Sequence, residues 1–276
     1  MINLIRGEFY KLRKSKCVYV CTILALAFVL FFYGLYELSD HIALAEASEQ
    51  NSTVSVSAEV ENENVESVWD SMTVIDIAQV AFNTYCCLII VVFIALFVYL
   101  EYANGGIKNI VGKGYQRWKI FLTKYLVVQI TVIMLALIMS LFILVLGVGF
   151  MGQERLTQDI LENFFRYVGM EIVLICSLTS IIVAINQFCR NLGTGIMLSM
   201  GMILFSSVLS TGIDLVLKYF KFDVRFSDYW IPELISNCPI VDIERNFVLR
   251  ASISAVVWMV LAISTALTHF KKADIK

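Results

Sequence analysis

Two prolines and two histidines in 276 residues, and charged residues at only 16 % of the chain, set the first limits on this sequence. With so little proline and only fourteen glycines, a collagen-like, low-complexity or disordered chain is excluded. Histidine occurs only at His41 and His269, and Cys86 and Cys87 are adjacent rather than spaced as C-x-x-C, so a structural zinc site has no ligand set. Of the seven cysteines, Cys17, Cys21, Cys86, Cys87 and Cys176 fall inside apolar runs, Cys189 lies beside one, and Cys238 stands alone in a polar loop. That distribution offers no disulfide framework. A formal charge of −2 gives no footing for nucleic acid. Catalytic motifs are missing as well: no H-E-x-x-H, no G-x-S-x-G and no Ser, His and Asp set. The nearest approach to a P-loop, Gly106 to Lys113, has five intervening residues and then Gly114 where a magnesium-holding hydroxyl belongs.

What is present is apolar. Hydrophobic residues make up 59 % of the chain and mean hydropathy is +0.79, more than soluble packing can hide. A bilayer core about 30 Å thick needs roughly 20 apolar residues in helical form, because lipid offers no partner to open backbone. Six stretches meet that length: 17–36, 77–100, 125–152, 167–188, 192–213 and 251–270. The fold expected is therefore all-α and polytopic, one transmembrane domain over 1–276, with outer loops at 38–75 and 218–250. The first stretch follows a basic segment, as a signal peptide does, but its apolar core is too long and Tyr33 to Glu37 offers no cleavage pattern.

Lysine and arginine set the orientation. Five precede the first span, five lie between spans two and three (Lys108, Lys113, Arg117, Lys119, Lys124), and Arg190, Lys271, Lys272 and Lys276 bring the inner total to fourteen of twenty-one. Both termini are thus expected in the cytoplasm. Residues 38–75 carry no lysine or arginine but eight carboxylates, Asp40, Glu46, Glu49, Glu59, Glu61, Glu63, Glu66 and Asp70. Within that loop Ser48 to Glu66 has little helical periodicity and reads as a mobile stretch, either a solvated spacer or a vestibule that concentrates cations. The aromatic-rich 218–250 segment reads as short amphipathic pieces folded back on the outer interface.

Ahead of the first span, Ile2, Ile5, Phe9 and Leu12 recur at helical spacing with Arg6, Lys11, Arg13, Lys14 and Lys16 around them, the pattern of an amphipathic helix at an anionic interface. Glu171 is expected near the outer end of span four, within reach of water. Asn83, Gln129, Asn186 and Gln187 are candidates for hydrogen bonds between helices. Ser199, Gly201, Ser206, Ser207, Ser210 and Gly212 give span five a small-residue surface. Asn83, Ser199, Ser206, Ser207 and Ser210 therefore mark either a transport path or a packing seam, including one between two copies.

Residues 101–124 read EYANGGIKNIVGKGYQRWKIFLTK. Gly105 and Gly106 allow a sharp turn out of the bilayer, Ile107, Ile110 and Val111 form a small apolar face, and Gly112 and Gly114 end a short helix. By its residues alone this is either a docking knob or a basic turn anchored on phospholipid. Glu101, then Gly105–Gly106, Lys108–Asn109, and Gly114 with Arg117 form a pattern that resembles the ABC-2 type permeases, the membrane subunits of ATP-driven exporters. The opening MINLIRGEFYKLRKSK is similar to theirs too. The chain departs from the pattern at Gly106, where threonine is common and would supply a helix-capping hydroxyl.

The resemblance implies that Glu101 to Arg117 includes a cytoplasmic coupling helix between spans two and three, docked on a separate ATPase subunit. It implies a second permease copy, or a related permease, in a bacterial plasma membrane. ATP and magnesium would then be held by the ATPase, with no cofactor on this chain and no enzyme activity of its own. The shorter members of the family point to a membrane-active peptide or peptide antibiotic as cargo, expelled as resistance or self-immunity. The competing class is a non-transport membrane protein, a sensor or assembly partner.

Overall fold

The computed structural model describes residues 2–53, 74–82, 84–103, 110, 112–151, 157–189, 191–222, 224–239 and 244–272. Among the described residues there is no strand, and the helices run in the order α1 (Ile2–Lys14), α2 (Lys16–Thr53), α3 (Val74–Phe82), α4 (Thr84–Ala103), α5 (Arg117–Met151), α6 (Gln158–Phe188), α7 (Leu192–Leu204), α8 (Ser206–Tyr219), α9 (Ile231–Ser236) and α10 (Arg245–Lys272). A 3-10 turn at Ser227–Tyr229 precedes α9. Five stretches are long and apolar enough to cross a bilayer, and α7 with α8 makes a sixth if that bent pair is one span. The protein is an all-α polytopic membrane protein.

The helices outrun the apolar stretches that announce them. α2 continues past Tyr36 to Thr53, so residues 38–53 are helix rather than loop, and the stretch read as lacking helical structure from Ser48 is helical through Thr53. Leu44, Ala45, Glu46 and Ala47 are strong helix formers and carry it on. α5 starts at Arg117 rather than Tyr125, which shortens the connection before it. α6 starts at Gln158 rather than Tyr167. The fifth span is not one helix: α7 and α8 meet at Phe205 with a bend of 58°. Proline is absent there. The break falls just before the Ser206–Ser207 pair and four residues after Gly201, a composition at which helices kink.

α6 is the hub, packed against α3, α4, α5, α7, α9 and α10. Its largest contact is with α10, whose buried Ala251, Ala255, Ala262 and Ala266 recur at four- and seven-residue intervals. Lipid supplies no hydrophobic drive between helices, so small residues that let backbones approach closely hold such a seam. Gly147 of α5 likewise admits Val74 of α3, whose side chain would collide with any added Cβ. Outward faces keep large apolar side chains exposed, Phe31, Leu141, Met197, Val208 and Ile253 among them, as a lipid-facing surface requires.

Two ends of the bundle are defined by contacts. At one, Phe121 meets Phe270 (5.9 Å between ring centroids) and Phe188 meets His269 (4.4 Å). At the other, Val74 packs on Gly147. The segment from Phe226 to Cys238 enters from this second end and folds down among the helices. Trp230 stands edge-on to Trp258 of α10 at 5.0 Å, and Trp258 Nε1 donates to the Tyr229 carbonyl at 3.0 Å. Trp258 is twelve residues from Phe270, about 18 Å of helix. The segment thus fits the sequence reading of short pieces folded back, but it is inserted between helices, with Ile231, Pro232, Leu234 and Ile235 buried, and does not lie flat on the outside.

Candidate functional site

The connection between α4 and α5 carries the residues that matter most to the sequence reading, and Gly105, Gly106, Ile107, Lys108, Asn109 and Val111 lie outside the described residues. Around them, Glu101 is in the last turn of α4, and Ile110 is half-buried against the core. Gly112 and Lys113 are exposed. Gly114 adopts φ +83°, a left-handed turn that favours glycine and reverses the chain before α5. Arg117 then donates from Nη1 to the Lys271 carbonyl at 3.1 Å, a cation on the unsatisfied carbonyl end of α10. The connection therefore emerges at the Phe121 and Phe270 end, tied to the last turn of the final span. Beside it lies a narrow crevice lined by Val98, Phe121, Lys124, Tyr125, Gln187 and Phe270, among others.

α1 keeps its amphipathic character but turns it on the protein. Leu12 packs against the core, Ile5 and Phe9 are half-buried, and Lys11 and Arg13 are exposed. The sequence reading missed Glu8. It is 3 % exposed, is paired with Lys11 at 2.8 Å and has Lys124 of α5 within electrostatic reach. α1 packs on α5, so its inner face meets protein as well as lipid. Its acid among five basic residues was the available signal. Ile2 is in the helix.

Three polar clusters line α6. Facing α5, Gln129 Nε2 lies 2.8 Å from the Tyr125 hydroxyl, 3.0 Å from that of Ser180 and 2.9 Å from the Cys176 carbonyl. Facing α7, Asn186 donates to Ser199 Oγ at 3.0 Å, and Gly195 lies so close that a Cβ there would strike the Asn186 amide. The third cluster is Tyr167, Glu171 and Cys238. Glu171 is 0 % exposed, which overturns the expectation that it reaches water: α6 begins nine residues earlier than the apolar run suggests, so Glu171 sits in mid-helix. Tyr167 and Cys238 face its carboxyl, but among the described residues neither they nor any other group makes a well-formed hydrogen bond to it. The Cys238 thiol is buried beside it.

Of the residues proposed as a path or seam, the four described serines are held in different surroundings. Asn83 lies outside the described residues. Ser199 faces α6, while Ser206 is buried and Ser207 is exposed. Ser210 donates to Glu233 Oε1 of α9 at 3.0 Å. Asp214, one turn on, accepts from the Phe226 and Ser227 amides. α8 and the inserted segment are therefore bound to each other, which the sequence did not signal beyond the two acids themselves. Among the described residues no group of three or more His, Cys, Asp or Glu is placed to hold a metal ion.

No curated protein matches the chain. Residues 4–210, about three quarters of the 276, match the family model described as ABC-2 family transporter protein. The match runs from α1 into the first half of α8, through the Glu101 to Arg117 connection. The chain belongs to the ABC-2 family of transporter proteins and is a membrane-embedded component of an ABC transporter.

Proposed function

We propose that this chain is the permease subunit of an ATP-driven exporter, two copies or two related permeases working with a pair of ATPase subunits that hold ATP and magnesium. The cargo in this reading is a membrane-active, cationic peptide or peptide antibiotic, removed from the bilayer as resistance or self-immunity. The family match across 4–210 carries the transporter assignment. The cargo rests on resemblance to the family's shorter permeases and on the eight carboxylates of 38–75, a stretch without lysine or arginine that attracts cations.

In this reading α7 and α8 are one broken span, so both termini share the basic, cytoplasmic side in a bacterial plasma membrane. The Glu101 to Arg117 connection docks on the ATPase there. The left-handed Gly114 and the clasp of Arg117 on Lys271 support the reading, because a connection that transmits force needs a fixed base. The test is copurification of the ATPase. Ile110→Asp places a carboxylate at the docked face and is expected to release it. Since Ile110 also touches this chain's own core, Lys113→Glu, on an exposed position, is the companion that leaves the fold alone. Full ATPase retention and normal transport in both variants would remove the docking assignment.

A further inference from the structure

Two ionisable side chains in the spans have an evident role: Lys124 lies near Glu8, and Arg117 caps α10. Glu171 does not. It is fully buried in the middle of α6; among the described residues its polar neighbours are the Tyr167 hydroxyl and the Cys238 thiol, neither in good hydrogen-bond geometry, and no lysine, arginine or histidine bears on it. One turn earlier on the same face, Tyr167 is also fully buried, its hydroxyl beside the Glu171 carboxyl without a well-formed hydrogen bond among the described residues. Side chains of this kind in a membrane interior are costly and persist where something binds them. The pair offers carboxyl and phenol oxygens and an aromatic face. That is the chemistry of a cation receptor.

The same two side chains lie under a cover whose attachments are elsewhere. α9 packs on α6, and Cys238, 2 % exposed, closes over the Glu171 carboxyl. The cover is tied to α8 through Ser210 to Glu233 and through Asp214 to the Phe226 and Ser227 amides, and to α10 through Trp258 to the Tyr229 carbonyl. Arg250 of α10 lies 3.5 Å from Asp228. Over Glu171 it presents a thiol, a weak hydrogen-bonding group. Behind α8 is the 58° break at Phe205, while α7 on the other side of that break is held to α6 by Asn186 and Ser199. The break separates a fixed half from a half that carries the cover.

We propose that Glu171 and Tyr167 form a binding site for an ammonium or guanidinium group of the transported molecule, covered here by residues 231–238 and uncovered when that segment moves with α8. This rests on the cationic-peptide reading of the cargo and adds where its charge is recognised. In the open site the carboxylate and the phenol ring receive the cation, and the cover's buried Ile231, Leu234 and Ile235 are free to meet the peptide's apolar side chains.

The test uses the full chain with its ATPase in lipid nanodiscs and two probes, an amphipathic leucine–lysine peptide and the same peptide with every lysine acetylated. In the native complex the lysine peptide stimulates ATP hydrolysis at lower concentration than the acetylated one. Glu171→Gln is expected to raise the half-stimulating concentration of the lysine peptide about tenfold, the worth of one charge-assisted contact, and to erase the preference between the two. Glu171→Asp should keep the preference, which a merely structural role would not require. The cover is read from Cys238, by mapping N-ethylmaleimide adducts with mass spectrometry: labelling should accelerate during ATP turnover. An unchanged preference in Glu171→Gln, or Cys238 labelling indifferent to turnover, overturns the site. Failure of the native complex to respond to either peptide overturns the cargo reading itself, and the site with it.

Discussion

Gln129 places one amide group among three acceptors, so its two protons are shared between Tyr125, Ser180 and the Cys176 carbonyl. Interhelical polar contacts in membranes are each worth about 1 kcal/mol. Gln129→Leu is accordingly expected to lower stability by about 1 kcal/mol, read as a thermal midpoint a few degrees down in detergent, with the fold kept. Two nearby glycines make a sharper comparison. A methyl at Gly195 would meet the Asn186 amide, whereas Gly193 faces open space. Gly195→Ala should cost about 1–3 kcal/mol as α7 is pushed from α6. Gly193→Ala should be neutral or stabilising by about 0.5–1 kcal/mol, since alanine is the better helix former. Equal melting of the two would mean that the α6–α7 approach does not constrain the fold. At Arg117 the clasp on a carbonyl predicts a mild phenotype: Arg117→Ala should cost about 1 kcal/mol and leave ATPase copurification intact. A complete loss of the ATPase would instead place an acidic partner residue on that guanidinium.

At the scale of elements, what was legible followed from chain length in lipid. Charge-free runs at 17–36, 77–100 and 125–152 mark helices because nothing else satisfies the backbone there. Where the helices end was not legible, because Arg117, Trp118 and Lys119 of α5 and Gln158 to Arg166 of α6 are amphipathic helix beyond the apolar runs, set by packing and not by hydropathy. That mattered at the candidate site. Placing the start of span four at Tyr167 put Glu171 near water, and restoring the missing nine residues puts it in the interior. The break at Phe205 was foreshadowed only by Gly201 and the Ser206–Ser207 pair, residues whose smallness serves a packing seam equally well. The bond from Arg117 to Lys271 spans 154 residues and has no local signature.

At the scale of the whole molecule, counting α7 and α8 as one span puts Gln116 and Asn237 on opposite sides of the membrane. Cysteine placed at Asn237, which is exposed, should react with an impermeant maleimide in intact cells, and cysteine at Gln116 only after permeabilisation. Protection of both in intact cells, with labelling only after permeabilisation, would make the bent pair re-entrant and reverse the final helix. The bond from Arg117 to the Lys271 carbonyl has a mechanical meaning in that frame. From Lys271 to Trp258, α10 is an unbroken rod of about 20 Å, and Trp258 holds the Tyr229 carbonyl at its far side. A displacement applied at the base of α5 is handed to a strut, not to a slack loop, and the strut's other bearing point is the insert above Glu171. Trp258→Phe keeps the ring and removes the N–H, and in the assembled complex it should blunt the turnover-dependent labelling of Cys238 while leaving ATP hydrolysis to run, an engine turning with its driveshaft unpinned.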